Sequence, residues 1–304
     1  MSDRSAPPPP RPRTLKFGIV DVIVIAAVLG LFAFIIYRVN TVLVYNWDFG
    51  RIIPNYLFRW DSERERWVTN LLIQGLITTV RISIWGMLLA SIIGLIMGVF
   101  RVSNVLFLRV LSRGYVELIR NIPPVVFLFV FFFFISSQIL GPLELADQAR
   151  NAPAGVQTVI RFLFGELRVL PNFFAALIAL ALFEAAYITE LVRAGIQSIE
   201  KGQWEAARSV GLSPFHVMRY VILPQAIQRI TPPLANQFIT LIKDSALISL
   251  ISVQDLTFMG VEISNSTQRL FETWITVAVM YFVISYSLAL AFGRLEKRLK
   301  AGYR

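Results

Sequence analysis

The chain contains no cysteine, which excludes disulfide staples and thiolate chemistry, and its single histidine, His216, excludes a metal site built from clustered imidazoles. His216 reads as a plain surface or interface residue. Lysines number five and none follows a glycine, so the G-x-x-x-x-G-K-[S/T] loop that cradles the phosphates of ATP is missing. G-x-S-x-G and H-E-x-x-H are missing too, and no histidine stands beside a candidate nucleophile. No enzyme in its own right is expected, and no cofactor bound by this chain. Charge is scarce: only 16% of the 304 residues are Asp, Glu, Lys or Arg.

What is present is apolar surface. Hydrophobic residues make up 56% of the chain and the mean hydropathy is +0.64, too apolar for a soluble fold of this size. The composition predicts an all-α, polytopic membrane protein with a single core domain. A net charge of +10 would suggest a nucleic-acid partner in a soluble protein, but here the cations lie in short loops beside apolar runs. Membrane lipid is the expected partner and nucleic acid is not.

Residues 1–17, with Pro7 to Pro10, Arg11, Pro12 and Arg13, read as a disordered, Pro-rich cytoplasmic tail with no signal-peptide cleavage pattern. Residues 18–37 supply an additional N-terminal span. A core transmembrane domain at 71–293 carries further spans at about 71–100, 121–140, 172–192, 226–253 and 272–292. The second of these six spans is longer than a bilayer needs, so it begins as an interfacial turn or protrudes. Within it Gly86, Ala90, Gly94 and Gly98 form a four-residue ridge of small side chains that permits close helix packing. Residues 38–70, with Trp47, Trp60 and Trp67 as interfacial anchors, and residues 141–171, with a small amphipathic helix near 156–167, fall outside. Residues 101–120 predict an inner-surface helix with Arg109, Arg113, Glu117 and Arg120 on one face and Phe107, Leu108, Leu111, Tyr115 and Leu118 on the other. Pro232 and Pro233 are expected to interrupt the fifth span. Six spans place both termini inside. The inside segments then hold seventeen Lys and Arg against nine outside, in line with the positive-inside rule.

Ionisable residues at membrane depth are candidate functional positions, because a charge at a helix centre costs about 2.5–3.5 kcal/mol on insertion scales unless it is paired or hydrated. Glu190 and Arg193 lie near an inner end and are expected to reach the headgroups. Arg81 either snorkels outward or meets a substrate carboxylate, and Glu184 either makes a buried structural hydrogen bond or lines a path. Lys243, Asp244 and Ser245 interrupt the fifth span, as a local pair at a bend or as part of a water-filled route. Arg81, Glu184, Lys243, Asp244 and Ser245 are thus the tentative substrate path.

The one polar segment between apolar blocks is 202–224, GQWEAARSVGLSPFHVMRYVILP. At its centre a helix stop and a helix start stand back to back: Gly211 suits the left-handed position after a helix, Ser213 can cap the next, and Pro214 suits a first turn. Two short helices joined by a tight turn are predicted. Trp204, Ala207 and Val210 or Leu212 fall at helical spacing, so Glu205 and Arg208 project elsewhere, and Ala206 and Ala207 allow close approach. This describes either a helix docked on another protein or an ordinary loop helix resting on headgroups.

Glu205-Ala206-Ala207, Gly211, Val221, Leu223 and Pro224 follow the pattern E-A-A-x3-G-x9-I-x-L-P, with Val for Ile at position 221. That pattern, within the stretch from Ala185 to Ser252, resembles the permease subunits of binding-protein-dependent ABC importers, in particular the polar amino acid branch (histidine, glutamine and glutamate type). Arg120-Asn121-Ile122-Pro123 departs from the Arg-Gly-Thr-Pro usual there. The resemblance implies a type I importer fold in the bacterial inner membrane and a second permease subunit, identical or homologous. It also implies ABC ATPase subunits that bind ATP and Mg, and a periplasmic amino acid-binding protein. It further implies that 202–224 is the cytoplasmic coupling segment, with Gly202, Trp204, Glu205, Ala206, Ala207, Arg208, Gly211, Leu223 and Pro224 meeting an ATPase cleft. A self-contained secondary carrier or ion channel using Arg81, Lys243 and Asp244 is the competing class.

Overall fold

The computed structural model describes residues 18–41, 45–63 and 65–301; the expected tail at 1–17 lies outside the described residues. The chain divides into two compact units, residues 1–47 and 48–304.

In the first unit an almost unbroken run of Ile, Val, Leu, Ala and Phe forms α1 (Ile19–Thr41). The Asp21 carboxylate accepts the N–H of Gly18 at 2.8 Å, closing a donor that the helix start leaves open. Every side chain from Ile19 to Arg38 is exposed. Tyr45 meets Trp47 edge to face, with ring centroids 5.1 Å apart.

The second unit opens with α2 (Phe49–Leu57) and a two-stranded antiparallel hairpin, β1 (Phe58–Asp61) and β2 (Arg66–Thr69). Trp60 faces Trp67 across the ladder with rings 5.7 Å apart, so the two form a cross-strand aromatic pair, and both rings remain exposed. The chain then enters α3 (Leu71–Arg101), a single continuous helix of 31 residues rather than one that begins in a separate turn. At 1.5 Å per residue it is about 46 Å long, against a hydrocarbon core of about 30 Å, so it protrudes.

Next comes α4 (Leu106–Arg120). Its buried side chains are Ser112, Val116 and Ile119, whereas Phe107, Leu111 and Leu118 on the apolar face of the expected inner-surface helix are exposed. Ser112 sets the contact by donating to the Met97 carbonyl at 2.7 Å. The third span is built from α5 (Pro124–Val130), a wide turn of π-helix at Phe131–Ser136, α6 (Ser137–Leu140) and, after a short 3-10 turn, α7 (Leu145–Asn151). Hydroxyls of Ser136 and Ser137 take the carbonyls of Phe132 and Phe133, which loosens the helical ladder there. Then follow α8 (Ala154–Phe164), α9 (Leu170–Gln197), α10 (Lys201–Ser209), the single turn α11 (Pro214–His216), α12 (Leu223–Asp244), α13 (Leu256–Thr267) and α14 (Leu270–Ala301).

Two expectations are corrected between α11 and α14. The helix that starts at Pro214 is not short: it passes through a π-helical stretch, Val217–Ile222, straight into α12. Pro224 has no N–H and its ring would collide with the Tyr220 carbonyl one turn back; widening the helix over 217–222 relieves both problems. Pro232 and Pro233 lie inside α12 and do not break it, since each removes one hydrogen bond while its fixed φ remains helical. The change comes at Ser245, where α12 tightens into a 3-10 run, Ser245–Ile251, that ends on Ser252 in the left-handed region at φ 60°. Among the described residues six helical runs are long and apolar enough to cross a membrane: Ile19–Val39, Leu71–Arg101, Pro124–Asn151, Leu167–Gln197, Pro214–Ile251 and Leu270–Lys297.

The core is the seam between α3 and α9. A Cβ built on Gly94 would stand 2.5 Å from Ile188, and one on Gly98 would overlap Val192. Gly86 is looser, with Leu180 and Leu241 at 3.7 Å, and Ala90 is fully buried. The ridge of small residues thus brings two backbones together, supplying the dispersion contact that apolar driving force cannot provide in lipid. Gly195 makes an equally close approach to Ile230 on α12.

Candidate functional site

The segment 202–224 is positioned by its own apolar stripe. Ala207 is buried among Ile196, Ile199, Val217, Ile222 and Ala226, with Trp204 and Leu212 half-buried around it. Val210 is 76% exposed, so Leu212 completes the stripe. Gly202, Glu205, Ala206, Arg208 and Gly211 are all exposed. Ala207 therefore holds α10 onto its own chain, and the outward face is Glu205, Ala206 and Arg208.

The turn after α10 uses the expected chemistry. Gly211 stands at φ 80°, a conformation glycine adopts without a Cβ clash, and its N–H bonds the Arg208 carbonyl at 2.9 Å. The Ser213 hydroxyl accepts the His216 N–H at 3.4 Å and lies 2.8 Å from His216 Nδ1. His216 stacks on Tyr220, with ring centroids 5.6 Å apart, and is exposed. Two links tie α10 and the end of α9 to α12: Gln225 Nε2 donates to Gln203 Oε1 at 3.1 Å, and the Arg229 guanidinium reaches the Ser198 carbonyl. Leu223 is half-buried and Pro224 exposed at the start of α12.

Just above this segment Glu190 takes Arg193 Nε at 2.7 Å and Arg101 at 3.3 Å. The expectation that Glu190 and Arg193 reach for headgroups gives way to a partly buried cluster that pins the end of α3 to α9. Charge placed between two helices is tolerable only with such partners.

Deeper in the bundle Glu184 is fully buried. Its Oε2 accepts Nε2 of Gln237 at 2.5 Å, its Oε1 has no hydrogen-bond partner among the described residues, and the Asp244 carboxyl is near enough to act on it electrostatically. Lys243 is exposed while Asp244 is half-buried, so the two residues are not a closed pair at a bend. Ser245 is buried and spends its hydroxyl on the Ile242 carbonyl at 2.7 Å. Two carboxyls and an amide thus gather where α9 meets the end of α12, an arrangement suited to an ammonium or another strong donor. Gln237, which the sequence reading passed over, was visible in principle as one of two adjacent amides, with Asn236, between apolar stretches.

Arg81 is remote from that cluster. It lies twenty residues before Arg101 on the same helix, about 30 Å, so the two guanidinium groups mark the two ends of a membrane-thick length of α3. Its Nε donates to the Phe162 carbonyl in the last turn of α8 at 3.1 Å. A larger opening of about 780 Å³ between α12 and α14 is lined mainly by apolar side chains such as Phe238 and Phe292.

A second polar centre, absent from the sequence reading, joins α3, α13 and α14. Asp255 is buried, caps α13 by accepting the Phe258 N–H at 2.8 Å, and receives the Tyr281 hydroxyl at 3.2 Å. Thr79 of α3 accepts the N–H of Leu256 at 3.1 Å. Burial pushes the Asp255 carboxyl up to about 6.

Residues 90–301 match the family described as binding-protein-dependent transport system inner membrane component. The chain is 34% identical over 234 residues to the probable glutamine ABC transporter permease protein GlnM of Bacillus subtilis (strain 168), covering 77% of this chain and 95% of that one. It is 36% identical over 231 residues to the glutamine transport system permease protein GlnP of Escherichia coli (strain K12), covering 76% and 93%. Among solved structures, an amino acid ABC transporter crystallised with histidines superposes with a TM-score of 0.63 at 30% identity, over 84% of this chain and all of that one. The inward-facing MetNI methionine ABC transporter shares the fold, with a TM-score of 0.57 at 21% identity over 75% of this chain and 95% of that one.

Proposed function

The chain belongs to the family of binding-protein-dependent transport system inner membrane components, and on that premise we propose that it is the membrane-spanning subunit of an ABC importer for amino acids. It forms the translocation path with a second permease subunit and hydrolyses no ATP itself. Separate ATPase subunits bind ATP and Mg and meet it at α10, and a periplasmic binding protein delivers the amino acid to the opposite face. Both termini and α10 then lie in the cytoplasm.

The observation that carries the coupling role is the division of labour within α10. Its apolar side, Trp204 and Ala207, is consumed by the chain's own core, which leaves Glu205, Ala206 and Arg208 outward on a rigid mount. A loop helix resting on headgroups would turn its apolar side the other way.

The test is co-purification and uptake. Glu205→Lys changes an exposed side chain, so the folded protein should reach the membrane within about 0.5 kcal/mol of wild-type stability. The bound ATPase and ATP-driven amino acid uptake should both fall at least tenfold. Gly211→Pro should do the same by forbidding the positive φ of the turn. Normal uptake in both variants removes the coupling role, and amino acid flux through the purified chain alone would favour a self-contained carrier.

A further inference from the structure

At the end of the bundle opposite α10, a cavity of about 270 Å³ opens between α3, the end of α8, the start of α9 and the residues before α13. It is smaller than the roughly 300–1,000 Å³ of sites for drug-sized ligands, a scale suited to one small solute. Arg81, Arg161, Glu166, Asn172 and Gln254 line it, and none of the five side chains is in an ion pair with another. Asn172 and Gln254 are half-buried, and their amides have no hydrogen-bond partner among the described residues.

Arg81 is the centre of this arrangement. One of its five N–H groups closes the last turn of α8 through the Phe162 carbonyl, and Trp85, one turn further along α3, closes the Leu163 carbonyl at 3.1 Å. Capping therefore accounts for Nε and leaves the bidentate end of the guanidinium unexplained. Gly165 lets the loop pass against that end: its φ is 96°, and a Cβ there would stand 3.1 Å from Nη1. Among the described residues Arg81 has no carboxylate partner, although Glu166 lines the same cavity. A half-buried guanidinium held in place by its Nε, with its fork free and neutral amides beside it, is the geometry that recognises a carboxylate.

We propose that this cavity is a subsite for a free amino acid, with the Arg81 fork taking its α-carboxylate and Glu166 available to its α-ammonium. This rests on the transport reading above and adds to it a site on the permease itself, about 30 Å along α3 from Arg101. The bound molecule is small and zwitterionic, and the amides of Asn172 and Gln254 supply its remaining hydrogen bonds.

The experiment uses the permease–ATPase complex in lipid nanodiscs without binding protein, with labelled L-glutamine, L-glutamate and L-histidine as probes. At least one probe should bind, and its α-carboxamide should compete at least tenfold more weakly. Arg81→Gln should weaken binding tenfold or more and Arg81→Lys by less, since an ammonium keeps the charge and loses the fork. Asn172→Asp sets a negative charge beside Arg81 without touching the Phe162 contact, and should also weaken binding about tenfold; it carries the test if Arg81→Gln does not assemble. Unchanged binding in both variants, equal competition by the carboxamide, or no binding of any probe would overturn the site. Intact probe binding with loss of ATPase stimulation by the binding protein would also overturn it, assigning Arg81 to a carboxylate on that protein. Failure of the transport reading is separate: the wild-type complex would then drive no ATP-dependent uptake of any amino acid in vesicles.

Discussion

The helices α1 and α9 are both long enough to cross a bilayer, and the more apolar of the two is the less buried. α1 is nearly all Ile, Val, Leu, Ala and Phe, and its side chains are exposed from Ile19 to Arg38. α9 carries Glu184, Thr189 and Glu190 among many alanines, yet two thirds of its most apolar stretch is buried. In water the ranking would be reversed. In lipid, large apolar side chains mark what faces the acyl chains, whereas small and polar residues mark where helix meets helix.

The contrast can be broken first at its glycines. Gly98→Leu should abolish the folded, monodisperse protein in detergent, because Val192 already occupies the space of a Cβ there. Gly94→Ala should cost about 1–3 kcal/mol in thermal unfolding, the usual range for overpacking. The matched change Gly30→Ala in α1 has nothing within 4 Å of the new methyl and should leave the midpoint where it was.

Buried charge sharpens the comparison next. Asp255 lies where α13 meets α3 and α14, with Tyr281 as the titratable group facing it. Its folded value of about 6 exceeds the 3.8 of a free carboxyl, so the contribution is fully present below about pH 4 and is lost as pH rises through 6. Stability should therefore fall by up to about 3 kcal/mol between pH 4 and pH 8 from this group alone, and Asp255→Asn should flatten that part of the profile. A smaller effect is expected at the other end of α3. Glu190→Gln leaves Arg101 and Arg193 facing each other without a counter-charge, and should cost about 1–3 kcal/mol, less than a fully buried pair because all three side chains keep some solvent access. Arg101→Met added to Glu190→Gln should recover part of that loss.

Much of this fold was legible because its signals are local. The spans follow from runs of apolar residues, the α3 ridge from a four-residue period, and the Gly211-Leu212-Ser213-Pro214 turn from residues adjacent in sequence. What was illegible depends on partners far away along the chain. Glu184 meets Gln237 across 53 positions, and Arg81 meets Phe162 across 81. No periodicity encodes such pairs. Pro232 and Pro233 misled for a different reason: a proline rule learned from hydrogen-bond loss overlooks that the ring's φ is already helical, and neighbouring helices support the rest. The hairpin of Trp60 and Trp67 was hidden because four-residue strands leave almost no alternation to read.

The continuity of α11, the π-helical stretch, α12 and the 3-10 run has a geometric meaning. From Pro214 to Ile251 the chain is one uninterrupted helical rod of 38 residues, roughly 55–60 Å long. One tip is the Gly211 turn beside Glu205, and three residues past the other tip is Gln254 in the wall of the Arg81 cavity. The one rod therefore spans the distance between the α10 end and the Arg81 cavity, and its helical geometry changes at two places along it, the widened turn before Pro224 and the tightened one after Asp244.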